Sequence, residues 1–211
     1  MVFECVTRTH VGHRRKLNEG AVLDSRDSGI WAVADGMGGH DAGEVASAMV
    51  IDALSRVSVT PNFDDRAERA VTVLHEVNRA LRVLADTEAE GRTIGSTVVG
   101  LVADDDRYRC FWVGDSRGYR VRECKIEQLT RDHSLVQDLI DAGMLKAEDA
   151  EGHPNANVVT RAVGATDILR VDAVGGEVRN SDTFLLASDG LTRLVNEAEL
   201  LAGLRGANLA K

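Results

Sequence analysis

Short apolar runs and two long amphipathic stretches succeed one another along this chain of 211 residues. Apolar residues that recur every three or four positions predict helices at about 41–57 and 64–86. Short β-prone runs predict strands at 3–9, 20–25, 30–35, 96–103, 107–114, 117–123, 126–130 and 183–188. Two further helices are predicted at 134–143 and from about Leu191. This order lacks the βαβα alternation of a doubly wound sheet, so we expect an α+β fold with mainly antiparallel pairing.

Three of the predicted strands end in an aspartate that is followed at once by a small residue. These aspartates are Asp35, Asp115 and Asp189. Carboxylates that are brought together repel one another and resist desolvation unless a cation lies between them. Mg²⁺ and Mn²⁺ prefer oxygen ligands of this kind. The pattern therefore predicts one metal centre, although for each run an aspartate that only closes a turn is the alternative.

A glycine-rich loop follows the first of these aspartates and reads Asp35-Gly36-Met37-Gly38-Gly39-His40. Glycine lets the backbone pass close to a metal ion or a phosphate and adopt positive φ angles. A flexible connection between a strand and a helix is one alternative. A nucleotide-binding loop is another, but the spacing matches neither the Walker pattern nor the dinucleotide fingerprint.

Composition and charge narrow the possible functions. The formal net charge of −9 argues against a broad electrostatic contact with nucleic acid or an anionic membrane, and it suits a carboxylate site that needs a metal to attract an anion. No stretch has the length of a membrane span, and no signal-peptide pattern begins the chain, so we expect a cytoplasmic protein with a single domain over 1–211. Cys5, Cys110 and Cys124 lack metal-ligand spacing, and we expect free thiols, with the first two buried.

Eight short blocks occur in one order along the chain, namely Thr7–Gly12 with Arg15–Glu19, Val33–His40, Ala42–Ser47, Gly95–Thr97, Gly114–Arg117, Thr130–Ser134, Thr160–Gly164 and Ala187–Leu191. Together they resemble the PP2C (PPM) family of metal-dependent serine/threonine protein phosphatases, in its bacterial form. The resemblance implies a central antiparallel β-sandwich that is flanked by helices on both faces, with a metal cleft at one end.

The resemblance also implies a set of metal ligands. Asp35 would bridge two Mn²⁺ or Mg²⁺ ions, and the carbonyl group of Gly36 would add a ligand. Asp189 would hold one ion, and Asp115 would belong to a possible third ion. Glu19 remains as a carboxylate beside this cluster.

For the substrate, the resemblance implies that Arg15 contacts the phosphate and that 144–166 is a mobile flap beside the cleft. His40 is assigned to the substrate side of the site, where it could help to order water, with a structural hydrogen bond as the alternative. Met37 stands where eukaryotic relatives have a histidine that is suggested as the general acid, and methionine cannot donate a proton. The implied nucleophile is a metal-activated water.

The chain departs from the family pattern twice. Where the family usually has Asn-Glu-Asp, this chain has Asn18-Glu19-Gly20, and the loss of an outer-shell carboxylate costs about 10–100-fold in metal affinity or activity. Family members also continue into an Asp-Asn motif with a further metal ligand and a closing strand, and we expect both to be missing from a sequence that ends at Lys211.

The leading functional interpretation is therefore an enzyme that hydrolyses phosphoserine and phosphothreonine on proteins. A catalytically weak relative that binds phosphoproteins as a regulatory module is the alternative, and a phosphatase for small phosphate esters is a third. We expect the partners to be phosphorylated proteins, the substrates of a serine/threonine kinase, with no nucleic acid and no membrane, and we expect a monomer.

Overall fold

The computed structural model describes residues 3–10, 18–38, 42–88, 93–150 and 152–206. The strands are β1 Gly20–Ser25, β2 Ile30–Met37, β3 Gly95–Ala103, β4 Arg107–Val113, β5 Arg117–Arg122, β6 Lys125–Gln128, β7 Asp172–Glu177 and β8 Thr183–Ala187. The helices are α1 Ala42–Ser55, α2 Phe63–Glu88, α3 Leu135–Asp141, α4 Asp189–Thr192 and α5 Glu197–Gly206, and a single 3₁₀ turn covers Ala147–Asp149.

Two antiparallel sheets form the centre of the molecule. One has five strands in the order β1-β2-β3-β4-β7, and the other has three in the order β6-β5-β8. All pairings within them are antiparallel. The predicted α+β class and the antiparallel sandwich are thus confirmed.

The two faces of the large sheet serve two separate apolar cores. Alternation along β2 sends Ile30, Ala32 and Ala34 toward the helices, whereas Trp31 and Val33 pack in the other core. The stripes of α1 and α2 cover the first face, where their buried residues include Leu74 and Leu81, each fully buried. Burial of these stripes is what makes the two helices stable.

The second core joins the large sheet to the small one. Val99, Tyr108 and Trp112 of the large sheet are buried there, and Phe184 and Leu186 of β8 pack against them. On the small sheet, α5 contacts β6 and α4 contacts β8. The predicted metal ligands lie at the carboxyl end of β2, in the β4–β5 connection and at the start of α4, which follows β8.

Three sequence predictions need correction. Residues 3–10 have no regular secondary structure, although a strand was predicted there. β7 was not predicted, because its sequence contains two adjacent glycines and few apolar residues. Glycine suits position 176 because atoms of the Tyr108 side chain lie within 3.2 Å of where a Cβ atom would be. The last predicted helix is two helices, α4 and α5.

Two further findings concern the whole described chain. Across the described ranges, every helix is too short or too polar to cross a bilayer. The three cysteines are free thiols, and Cys110 is buried as expected, whereas Cys5 is only half-buried and Cys124 is exposed.

Candidate active site

Asp35 lies in the last part of β2, where it faces Gly20 of β1 and Thr97 of β3 across the sheet. Because side chains alternate along a strand, Asp35 lies on the same face as Trp31 and Val33, which is the face toward the small sheet. The residue is half-buried. Its carboxylate is therefore held on a rigid element at one end of the sandwich interior.

Gly36 brings the backbone of β2 into direct contact with the start of α1. A Cβ atom at Gly36 would lie 1.8 Å from the carbonyl oxygen of Gly43, and a Cβ atom at Gly43 would lie 2.8 Å from Oε1 of Glu19. The backbone N–H of Gly36 also donates to the carbonyl oxygen of Glu19, at 2.9 Å. The two glycines thus leave the space that the Glu19 carboxylate occupies beside the end of β2.

Asp115 and Asp189 meet at a single arginine. Nη2 of Arg193 is 3.0 Å from Oδ2 of Asp115 and 3.2 Å from Oδ2 of Asp189. The side chain of Asp115 is only 10% exposed, and that of Asp189 is 27% exposed. Two of the three aspartates predicted to converge are therefore neighbours in the fold.

The electrostatics of this pair favour an added positive charge. Burial raises the pKa of Asp115, and the negative charge of Asp189 raises this pKa further, while Arg193 lowers it in part. A carboxylate whose charged form is disfavoured by burial and by a like charge is stabilised when a cation binds beside it. Within the described part of the chain, Arg193 is the one basic residue that ion-pairs with these two carboxylates, so the pair is under-neutralised.

A polar contact joins Thr97, the register partner of Asp35, to the residue that follows Asp115. Thr97, which is opposite Asp35 on β3, has its Oγ1 2.8 Å from Oγ of Ser116, the residue after Asp115. Gly114 on the other side of Asp115 has φ +110°, and a Cβ atom there would lie 2.6 Å from the Thr97 side chain. All three aspartates therefore lie at the same end of the sandwich.

Within the described ranges, no three acidic, histidine or cysteine side chains are close enough together to form a complete metal cage. The arrangement is instead a preformed pair, Asp115 and Asp189, with Asp35 on β2 at the same end of the sandwich. Its donors are carboxylate and carbonyl oxygens, as Mg²⁺ and Mn²⁺ require, and the space at Gly43 admits Glu19. The residues present fit a divalent cation.

His133 supports the loop that carries Asp115, and the sequence analysis did not assign it a role. Its Nδ1 accepts from the backbone N–H of Gly114 at 3.0 Å, so the proton is on Nε2, which is 3.1 Å from Oδ2 of Asp172. The ring stacks on Trp112, and burial lowers the pKa of the imidazole, which keeps it neutral. The available signal was its place in the block Thr130–Ser134.

Arg193 is the second functional candidate that the sequence analysis missed. Its signal was the spacing of four residues from Asp189, which allows an ion pair when the chain between them is helical. Arg193 also donates to the side-chain oxygen of Asn157. It thereby connects the aspartate pair to the segment 144–166.

That segment is anchored at its far end. The backbone N–H of Gly164 donates to Oδ1 of Asn78 in α2 at 2.7 Å, and Nδ2 of Asn78 donates to the carbonyl oxygen of Thr166 at 2.9 Å. Backbone bridges join Val163 to Ser96 and Val159 to Ser134.

Two predicted substrate residues, Arg15 and His40, lie outside the described residues, so their assigned roles stay predictions.

Comparison with known proteins decides the family. The family model for protein phosphatase 2C matches residues 18–206. The chain belongs to the protein phosphatase 2C family. It is 40% identical to the serine/threonine phosphatase stp of Listeria innocua over 92% of this chain and 79% of that protein.

Solved structures agree with this assignment. PppA, described as a key regulatory component of the type VI secretion system (T6SS) in Pseudomonas aeruginosa, is 40% identical, with a TM-score of 0.88 over 96% of this chain and 84% of that one. The catalytic domain of the phosphatase PstP in complex with two manganese ions is 32% identical, with a TM-score of 0.82 over 96% and 84%. The chain is thus a protein serine/threonine phosphatase of the metal-dependent class, as the motif blocks indicated.

Proposed function

We propose that this phosphatase hydrolyses phosphoserine and phosphothreonine esters at a divalent-cation centre that Asp35, Asp115, Asp189, Glu19 and the Gly36 carbonyl group form. The observation that supports this most strongly is the meeting of Asp115 and Asp189 on one guanidinium nitrogen, beside the strand end that carries Asp35. Two ions, Mn²⁺ or Mg²⁺, fit this set, with a possible third at Asp115.

Bound divalent cations supply Lewis acidity, which lowers the pKa of water to about 7 and neutralises phosphoryl oxygens. The chain's own residues supply position. Asp35 is fixed by the β1 and β3 pairings, and Glu19 by its backbone contact with Gly36. His133 holds the loop that carries Asp115 in place through the Gly114 N–H.

Arg15 and His40 remain assigned to the substrate by resemblance. A guanidinium group offers a planar fork of donors that matches the oxygens of a phosphate. On this proposal, Arg15→Ala raises KM for a phosphothreonine peptide with little change in Mn²⁺ dependence. An unchanged KM would remove the phosphate contact from the proposal.

One observation favours the alternative of a catalytically weak regulatory module. Gly20 is directly opposite Asp35, so no carboxylate is present at the position where the family usually has one. The phosphoprotein partners that we propose, substrates of a serine/threonine kinase, are common to both functions. A cytoplasmic location and a monomeric state stay predictions from the sequence.

Asp35→Asn tests the proposed centre. We expect turnover of p-nitrophenyl phosphate and of a phosphothreonine peptide to fall by more than about 100-fold, because even outer-shell losses cost 10–100-fold. Asp106→Asn is the matched control, since Asp106 is exposed in the β3–β4 turn. Both variants and the wild type are assayed with Mn²⁺ and with EDTA.

Near-normal turnover by Asp35→Asn would remove the basis for the metal assignment. If the folded wild type shows no turnover at any Mn²⁺ concentration, the regulatory module becomes the better interpretation. Turnover of the small ester without turnover of the peptide would favour a phosphatase for small molecules.

A further inference from the structure

Arg193 occupies an unusual position for an arginine beside a cation site. The same nitrogen, Nη2, contacts both Asp115 and Asp189, and the side chain is 37% exposed. Arg193 lies directly after α4, and Asp189 is the first residue of that helix. The positive charge is thus delivered by the element that also carries one of the two carboxylates.

The charges around the pair do not balance. Two carboxylates face one guanidinium group, and the charge of Asp132 acts on Asp115 as a third negative group. Asp132 is itself paired with Arg117, at 2.7 Å. A divalent cation that binds Oδ2 of both aspartates would supply twice the charge of Arg193, and it would have to replace the guanidinium contacts, because Nη2 of Arg193 binds these same two oxygens.

The same guanidinium group holds the segment 144–166. Nη1 of Arg193 donates to the side-chain oxygen of the exposed residue Asn157, while Nη2 contacts the aspartates. Any movement of the guanidinium group away from Asp115 therefore breaks or strains the Asn157 contact as well. The end of the segment at Gly164 is held separately by Asn78.

We propose that Arg193 is an internal competitor for divalent cations at the Asp115–Asp189 pair, and that cation binding there displaces the guanidinium group and releases Asn157. This inference rests on the proposed function, because it takes the pair to be a cation site. On this proposal, the binding of a cation to the aspartate pair and the release of the segment 144–166 are parts of one equilibrium, so each can be measured to follow the other. By linkage, what weakens the Arg193 contacts must strengthen cation binding.

The first test measures Mn²⁺ binding by titration calorimetry on protein stripped of metal with EDTA. We compare the Mn²⁺ site that is weakest in the wild type with the same site in Arg193→Gln. In the variant this site should bind Mn²⁺ at least about tenfold more tightly, which is the scale of a lost charge-assisted hydrogen bond. Arg56→Gln is the matched control, because Arg56 also pairs with an aspartate four residues earlier on a helix, far from the site in sequence. It removes the same charge and should leave Mn²⁺ affinity unchanged.

The second test measures hydrogen exchange in peptides that cover 152–161. The backbone N–H of Val158 bonds Asn155, and that of Thr160 bonds His133, so both amides report on the segment. We expect Mn²⁺ to accelerate their exchange in the wild type. In Asn157→Ala, exchange should be fast without Mn²⁺ and should not respond to it, while the Mn²⁺ affinity increases less than in Arg193→Gln.

Equal Mn²⁺ affinities for the wild type, Arg193→Gln and Arg56→Gln would overturn the proposal, as would exchange in 152–161 that ignores Mn²⁺ in the wild type. If Arg193→Gln does not fold, Arg193→Lys takes its place, since lysine keeps the charge but lacks the fork and should give a smaller gain of the same sign. A wild type that binds no Mn²⁺ at all would instead contradict the proposed function, and a wild type that binds Mn²⁺ with affinities equal to those of the variants contradicts only this inference.

Discussion

Two carboxylate–arginine contacts in this phosphatase use the same chemical groups and differ in their balance. Asp182 accepts from Nε and Nη2 of Arg122 at 2.7 and 2.6 Å and from the backbone N–H of Arg179 at 2.9 Å. Asp115 shares the single nitrogen Nη2 of Arg193 with Asp189. Within the described residues, the first carboxylate accepts three hydrogen bonds, whereas the second shares its one donor nitrogen with a like charge.

The pKa values of the two aspartates move in opposite directions for this reason. Burial tends to raise the pKa of Asp182, but the hydrogen bonds from Arg122 and Arg179 outweigh it and lower the pKa. Burial also raises the pKa of Asp115, and there the charge of Asp189 adds to the effect. A saturated carboxylate stabilises the fold, whereas an under-neutralised one is suited to a cation.

The largest expected effect is on the under-neutralised side. Asp189→Asn should lower turnover of a phosphothreonine peptide by more than about 100-fold, because it removes one of the proposed cation ligands. Its thermal midpoint should not fall, since the repulsion with Asp115 is also removed. Peptide turnover and a thermal melt of the metal-free protein measure the two quantities. A thermal midpoint that falls together with turnover would show that Asp189 stabilises the fold, as Asp182 does.

The contact between Arg122 and Asp182 should respond in the opposite way. Asp182→Asn should lower the thermal midpoint by about 5 °C, because the side chain of Asp182 is 1% exposed and Arg122 loses its carboxylate partner. The Mn²⁺ concentration for half-maximal activity should stay as in the wild type. A shift in that concentration without a change in the melt would break the comparison.

Gly20→Asp should add a carboxylate to the under-neutralised side. The position faces Asp35, and a Cβ atom there would lie 3.4 Å or more from its nearest neighbours, so the side chain has room. We expect the Mn²⁺ concentration for half-maximal activity to fall by up to about 10–100-fold. Overlapping Mn²⁺ titrations for the variant and the wild type would show that the site is complete without this carboxylate.

The smallest effect is a pH dependence of stability at Asp182. Because the folded pKa is lowered below the ordinary 3.8, the stabilisation is complete well above pH 3.8 and is lost as the pH falls through the folded value. The difference in thermal midpoint between the wild type and Asp182→Asn should therefore be full at pH 7 and shrink below pH 3.8. A constant difference across this range would mean that packing, and not charge, carries the contribution of Asp182.

Features that depend on residues close together in the sequence could be predicted, whereas features that depend on contacts between distant segments could not. The stripes of α1 and α2 are local patterns, and the structure has both helices close to their predicted places, whereas β2 continues to Met37, beyond the predicted strand end at Asp35. The structure brings Asp115 and Asp189 together, as their shared strand-end position indicated, whereas the roles of the three aspartates as metal ligands stay predictions. The sandwich arrangement itself came from the resemblance, since no local pattern distinguishes it from other antiparallel folds.

The missed features depend on contacts between distant segments. β7 is weakly apolar and is defined by its pairing with β4, as at Ala173 opposite Phe111. The role of His133 requires Asp172, which is 39 residues away. Residues 3–10 have a strand-like composition, but composition does not supply a pairing partner, and pairing is what makes a strand.

The contact between Arg193 and Asp115 spans 78 residues, and this separation has a consequence for synthesis. The segments of β1 to β4 and of both long helices have left the ribosome once residue 113 has emerged, so the helix-covered layer can begin to form early. The aspartate pair must wait for α4 and for the long loop between β5 and β8 to close, which is entropically costly and slow. The proposed cation centre therefore cannot form before α4 has been synthesised and β8 has paired with β5.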